Sequence, residues 1–205
     1  MRMQTHMQIN RQMAILATIR KLQFATRRHL MSVHEMGGIR NANRIMKDLS
    51  SYTSKLTHNK EYVYYLNQSG HKLFGEGKVV HHSRVAHAIL RNEAWLQLFC
   101  PDDWQIETEI RYIKDDKKKK IIPDVKFRDE DRILHAVEID RTQKMVVNDE
   151  KLKCYEEFTK IYKQKYKGKV PVIHFFTITK YREKKLEQLA AKYDVFVKVY
   201  VIQEI

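Results

Sequence analysis

The chain has 205 residues, 43% of them hydrophobic, with six Gly and three Pro, enough to bury one large core or two small ones and too apolar for extended disorder. Two cysteines, Cys100 and Cys154, exclude a disulfide framework or a cysteine-held zinc site, and no apolar run nears the roughly 20 residues of a spanning helix, so a cytoplasmic, membrane-free protein is expected. The formal charge of +14 asks for a polyanion, with nucleic acid ahead of a membrane surface; +10 of it falls in residues 1–90 and +4 in 91–205, so the two parts have different jobs.

From Gln8 to Lys21 the residues Ile9, Met13, Leu16 and Ile19 recur at helical spacing and predict a first helix. A second begins at Thr26, an N-cap type, and carries Leu30 and Val33 inward until Met36-Gly37-Gly38 breaks it. The third, from about Ile39 to Ser51, lines up Ala42, Ile45, Met46 and Leu49 as the stripe of a half-buried helix. Its opposite face presents Arg40, Asn41, Asn43, Arg44 and Lys47, side chains of the types that read base edges and grip phosphates. Lys55-Leu56-Thr57 and Tyr62-Val63-Tyr64-Tyr65-Leu66 then flank a His58-Asn59-Lys60 turn, which predicts a β-hairpin with Lys60 as a further DNA-binding cation. A short helix from Ser69 to Phe74 closes the segment. Three helices followed by a hairpin resemble a winged helix-turn-helix DNA-binding domain over residues 1–78. Two other readings stand beside it: a helical core whose charged face is merely solvated, and a protein-interaction patch formed by Tyr62, Tyr64 and Tyr65.

Residues 79–103 read as a connecting helix, His82 to Phe99, with Val85, Ile89, Trp95, Leu96 and Phe99 as its apolar members. His81, His82 and His87 lack an acidic or Cys partner at ligand spacing and are expected to face solvent or phosphate. From Trp104 strands take over: Gln105 to Ile113, Ile121 to Arg128, Ile133 to Asp140, Val170 to Thr177 and Val195 to Ile202. Helices Asn148 to Tyr166 and Lys180 to Lys192 separate the last three, so a mixed, partly parallel sheet covered by helices is expected over residues 104–205.

Alternation along a strand puts Glu138 and Asp140 on one face, and Asp124 on the neighbouring strand lets three carboxylates converge. Crowded acids repel unless a cation joins them, which is how a Mg²⁺ or Mn²⁺ site is built. Glu109 is a fourth candidate acid, while the bland reading is an acidic hairpin end paired to Arg141 and nearby lysines. Ile122-Pro123-Asp124 followed by Glu138-Ile139-Asp140 resembles the Pro-Asp, (Asp/Glu)-x-Lys nuclease superfamily, with a restriction-endonuclease-like α/β/α fold. Where that motif carries lysine this chain has Asp140. Lys151 and Tyr155, at the start of the next helix, resemble the Gln-x-x-x-Tyr element that follows the core motif in RecB-like members, a resemblance that implies a cation and a phosphate contact from there; Lys126 and Arg141 are alternatives.

Taken together, Tyr64-Tyr65-Leu66-Asn67-Gln68-Ser69-Gly70-His71-Lys72-Leu73, Ile122-Pro123-Asp124, Glu138-Ile139-Asp140-Arg141-Thr142 and Glu150-Lys151-Leu152-Lys153-Cys154-Tyr155 resemble the replication-relaxation family of plasmids and mobile elements. The resemblance implies an α/β protein acting on plasmid or phage DNA, with double-stranded DNA as partner, replication or mobilisation proteins as companions, and a homodimer left open. Metal-dependent cleavage by Asp124, Glu138, Asp140, Lys151 and Tyr155 is the enzymatic alternative to DNA binding through Arg40, Asn41, Asn43, Arg44, Lys47 and Lys60.

Overall fold

The computed structural model describes residues 2–75 and 82–202. The chain is an α/β protein that divides into two compact units, residues 1–96 and 97–205. The predicted connector over 79–103 does not stand apart, because most of its helix falls within the first unit.

In the first unit, helix α1 (Arg2–Leu22) buries Ile15, Leu16, Ile19 and Leu22, while Met7, Ile9 and Met13 in its earlier turns stay exposed. Strand β1 (Ala25–Thr26) leads into α2 (Arg27–Val33), opened by a reciprocal cap: the Thr26 hydroxyl accepts from the His29 N–H, and His29 Nδ1 accepts from the Thr26 N–H, both at 3.2 Å. Histidine takes the place that Glu or Gln usually fills in this box. Leu30 is fully buried and Val33 half-buried. Gly37, at φ +65°, takes the left-handed conformation that turns the chain into α3 (Ile39–Asp48). Strands β2 (Thr53–His58) and β3 (Glu61–Leu66) form the expected hairpin, with Asn59 and Lys60 both at positive φ, the twist that a two-residue turn needs. The sheet order is β1-β3-β2, all antiparallel.

Helix α4 (Gln68–Leu73) is capped by Asn67 and pressed against the chain at Gly70, where a Cβ would lie 2.2 Å from the Tyr52 carbonyl oxygen. After a 3-10 turn (His82–Arg84), α5 (Val85–Gln97) returns to the unit's core. Arg91 donates to the Leu22 carbonyl, Asn92 to that of Phe24, and Glu93 receives Arg28 and His29. Phe99, expected among the apolar members of this helix, lies beyond it at 94% exposure, on a backbone with φ +60°.

The second unit carries a five-stranded mixed sheet, built from β4 (Gln105–Ile106), β7 (Val125–Arg128), β8 (Leu134–Asp140), β9 (Val172–Thr177) and β10 (Phe196–Val201), in the order β10-β9-β8-β7-β4. Its last three strands run parallel and the β7 and β4 pairings are antiparallel. Helices α6 (Met145–Lys165) and α7 (Lys180–Ala190) bridge the parallel strands. Leu134, Ala136, Ile173 and Phe175 meet Leu152, Tyr155, Phe158, Tyr162 and Leu186 in one core. The other sheet face carries stacked rings, with His135 and His174 joined at 2.8 Å, Asp129 accepting from His135 at 3.1 Å and Tyr200 reaching His174 at 3.3 Å.

Two of the expected strands are each broken. The segment 105–113 is interrupted at Glu107, φ +46°, so that β5 (Ile110–Lys114) leaves the sheet. It pairs with β6 (Lys117–Ile121), an unpredicted strand made of the lysine run, through a turn at Asp115-Asp116 with both residues at positive φ. Ile122-Pro123-Asp124 then separates β6 from β7. Among the described residues no helix is long and apolar enough to cross a membrane.

Candidate functional site

Helix α3 buries Ala42, Ile45 and Met46, with Leu49 just past its end, and turns Arg40, Asn43, Arg44 and Lys47 outward. Its strong two-facedness follows directly from that spacing. Asn43 accepts from Arg27 at 2.9 Å, and Arg44 is steered by the Asn41 side-chain oxygen at 2.9 Å and by Asp48 at 3.5 Å. Asn41 itself is half-buried and donates to the Met36 carbonyl at 2.8 Å, so it braces the turn before the helix rather than facing outward. Lys60 is exposed at the hairpin tip. Between α3 and the hairpin runs a groove lined by Arg27, Asn43, Lys47, Lys55 and Tyr62. Lys55 lies 4.0 Å over the Tyr62 ring, while Tyr64 belongs to the core. His81 and the side chain of His82 lie outside the described residues.

In the second unit, β8 carries Glu138 and Asp140 inward on the same face, each 1% exposed. Their surroundings differ. Glu138 takes the Lys151 ammonium at 2.5 Å and the Tyr155 hydroxyl at 2.7 Å, both from α6. Burial pushes its carboxyl up to about 7, against the pull of Lys151 and with the help of Asp124 nearby. Asp124, at the entrance to β7, accepts from the Ile139 N–H at 2.7 Å. Asp124, Glu138, Lys151 and Tyr155 therefore gather at one place.

Asp140 does not share that arrangement. Arg182 of α7 grips it with two parallel hydrogen bonds, at 2.7 and 2.8 Å, and Asn148 donates to the same carboxylate at 2.9 Å. A bidentate guanidinium occupies both oxygens, so Asp140 leaves the expected set of three metal ligands. Among the described residues no group of three or more His, Cys, Asp or Glu side chains is arranged to hold a metal ion. Asp124 and Glu138 remain as neighbouring carboxyl groups, but Lys151 and Tyr155 already engage both Glu138 oxygens and burial favours its protonated form. Tyr155 is fully buried with its hydroxyl on Glu138, which makes it a positioning group and not a phosphate contact.

The other candidates have partners or surroundings of their own. The Glu109 carboxylate is taken by Lys120 at 2.6 Å and Arg111 at 2.8 Å, while Lys126 donates to the Glu109 carbonyl. Arg141 is exposed. Arg182 was missed because it stands 42 residues from its partner, and no local pattern links the two. Glu157 was missed as well: it receives Lys114 at 2.7 Å, Lys119 at 2.8 Å and the Tyr112 hydroxyl at 3.1 Å, which ties the β5–β6 hairpin to α6. These hydrogen bonds hold its carboxyl at about 2.

A family model described as replication-relaxation matches residues 16–173, a span that takes in both the α3 surface and the Asp124/Glu138 pair. No curated protein and no solved structure matches the chain.

Proposed function

Since this chain belongs to the replication-relaxation family, we propose that it acts on plasmid or other mobile-element DNA during replication or relaxation, and that its first unit is a winged helix-turn-helix holding duplex DNA. In this reading α3 enters the major groove, the β2–β3 hairpin is the wing, and Lys60 meets a neighbouring phosphate. The observation that carries the reading is the outward face of α3: Arg40, Asn43, Arg44 and Lys47 are all exposed on a helix whose other side is core. A solvated face would serve as well for folding, but residues 1–90 carry +10 of the chain's +14, a charge that calls for a polyanionic partner. The protein works in the cytoplasm with replication or mobilisation proteins, and a homodimer would place two such helices on paired half-sites.

A gel shift on duplex DNA tests the reading. Arg44→Ala is expected to weaken binding by about 1–3 kcal/mol if the guanidinium reaches a base, and Lys47→Ala to reduce the salt dependence. Undiminished affinity after joint replacement of Arg40, Arg44 and Lys47 overturns it.

The Asp124/Glu138 pair favours a second reading, metal-dependent cleavage of the bound DNA, with a restriction-endonuclease-like second unit. A Mg²⁺ or Mn²⁺ ion held there would polarise a phosphate and lower the pKa of water. Lys151, already at Glu138, supplies the positive charge that the strand position of Asp140 lacks, and Tyr155 orients Glu138. Supercoiled plasmid incubated with either ion is expected to be nicked by the wild type and left intact by Asp124→Ala and Glu138→Gln. Equal nicking by all three sinks this reading and leaves DNA binding untouched.

A further inference from the structure

A cleft of about 510 Å³ opens in the second unit between the β5–β6 hairpin, β7 and the C-terminal half of α6. It exists because β4 covers β7 only at Val125 and Lys126, leaving Phe127 and Arg128 without a strand neighbour on that side. Its size falls within the roughly 300–1,000 Å³ of small-ligand sites. Core residues Ile110, Leu134, Phe158 and Tyr162 form an apolar floor, extended by the half-buried Tyr166 ring 4.4 Å from that of Tyr162. The rim is cationic, with Lys126, Arg128 and Lys165.

What marks this rim is that, among the described residues, its cations border an apolar floor without a carboxylate at ion-pair distance, whereas many of the unit's other cations are paired. Lys114 and Lys119 end on Glu157, Arg111 and Lys120 on Glu109, Lys151 on Glu138 and Arg182 on Asp140. Among the described residues the three rim cations have no carboxylate at ion-pair distance. Lys126 donates to the Glu109 carbonyl at 2.7 Å, and Arg128 to the Arg132 carbonyl at 2.8 Å. Arg128 and Lys165 flank the Tyr166 ring, at 5.9 and 5.5 Å from its centre. Of the acids that also line the cleft, Glu109 is held by its two cations, while Asp103 accepts from Gln105 and its charge reaches Lys126 without an ion-pair contact. Burial lowers the Lys126 pKa, and the Asp103 and Glu109 charges offset only part of that loss, because Arg128 and Arg111 push the same way as burial.

An apolar floor under unpaired cations asks for a ligand that is flat and apolar at one end and anionic at the other. A paired duplex presents phosphates and base edges, but it keeps its ring faces stacked; a single strand offers both a phosphate and a free ring face. We propose that this cleft holds one nucleotide of a single-stranded DNA segment, its base against the Tyr166 ring and its phosphate between Lys126 and Arg128. The proposal rests on the DNA reading above and adds a second strand contact, independent of α3.

The test is fluorescence anisotropy of the whole chain with labelled oligo-dT of about 12 nucleotides and, separately, with labelled duplex. The variants are Tyr166→Ala, Tyr166→Phe, the pair Arg128→Ser and Lys165→Ser, and, on α3, the pair Arg44→Ala and Lys47→Ala. Loss of a base–aromatic stack corresponds to about a 5- to 150-fold drop in affinity. Tyr166→Ala and the Arg128/Lys165 pair are expected to lose oligo-dT by a factor in that range and to keep duplex binding. Tyr166→Phe, which retains the ring, is expected to bind as the wild type does, which separates loss of stacking from misfolding. The α3 variant is expected to do the reverse, losing duplex and keeping oligo-dT. Unchanged oligo-dT binding in the cleft variants, or parallel loss of both DNAs, overturns the proposal. Cleft-dependent oligo-dT binding without any duplex binding upholds it and refutes the α3 reading instead.

Discussion

Arg182 and Asp140 form a closed unit: a carboxylate 1% exposed, a guanidinium bound to both its oxygens, and Asn148 and the Thr177 hydroxyl filling the remaining positions. Removing one partner of such a pair strands a buried charge, at a cost of about 3–5 kcal/mol, whereas replacing both with apolar or neutral groups of similar size is close to neutral. Arg182→Ala is therefore expected to destabilise the second unit by that amount in a urea titration. The combination of Asp140→Asn with Arg182→Met is expected to recover most of it. The double variant also separates two roles for Asp140: a structural anchor leaves any plasmid nicking unchanged once folding is restored, while a metal ligand abolishes it.

At the scale of elements, the parts of this chain that were legible from sequence are those where local chemistry decides. The α3 stripe of Ala42, Ile45, Met46 and Leu49 could be read from periodicity alone, and Thr26 from its capping chemistry. Lys151 and Tyr155 could be placed together, one helical turn apart, although that Glu138 would receive both depended on tertiary packing. What was illegible depends on distant partners. Four consecutive lysines carry neither strand propensity nor alternation, and β6 exists because β5 offers it a ladder and because Glu157 and Glu109 take up Lys119 and Lys120. The cleft was invisible for the same reason, since its walls come from three separated segments.

The β2–β3 turn allows a direct test of how far local chemistry governs an element. Lys60 sits at φ +63°, where a Cβ is unfavourable and glycine is not. Lys60→Gly is expected to stabilise the first unit by about 1 kcal/mol in urea unfolding. If Lys60 grips phosphate, the same variant binds duplex DNA more weakly, so stability and affinity move in opposite directions.

For the whole molecule, pH is the variable on which the buried groups of one unit act against each other. His174 lies between His135 and Tyr200 with Lys198 nearby, and burial, reinforced by the His135 and Lys198 charges, pushes it down to about 3 from the ordinary 6.5. It is neutral when folded and takes a proton below 6.5 when unfolded, so it draws stability away as pH falls from 6.5 towards 3. Glu138 acts in the other sense. Its carboxyl is raised to about 7 from 4.5, so the folded state holds a proton between those values that the unfolded state lacks, and stability rises as pH falls from 7 to 4.5. Each contributes a slope of about 1.4 kcal/mol per pH unit where it acts alone. Between about 4.5 and 6.5 the two slopes oppose, and the stability of the second unit is expected to be nearly flat, falling only below 4.5. Each unit holds one of the two tryptophans, Trp95 in the first and Trp104 in the second, so Trp104 fluorescence in a Trp95→Phe background follows the second unit alone. In that background Glu138→Gln removes the rising contribution, and stability is expected to fall steadily from pH 6.5. His174→Phe removes the falling one, and stability is expected to rise on acidification from 7 to 4.5. A wild-type curve that declines from pH 6.5 in parallel with that of Glu138→Gln would mean that Glu138 does not hold the opposing proton.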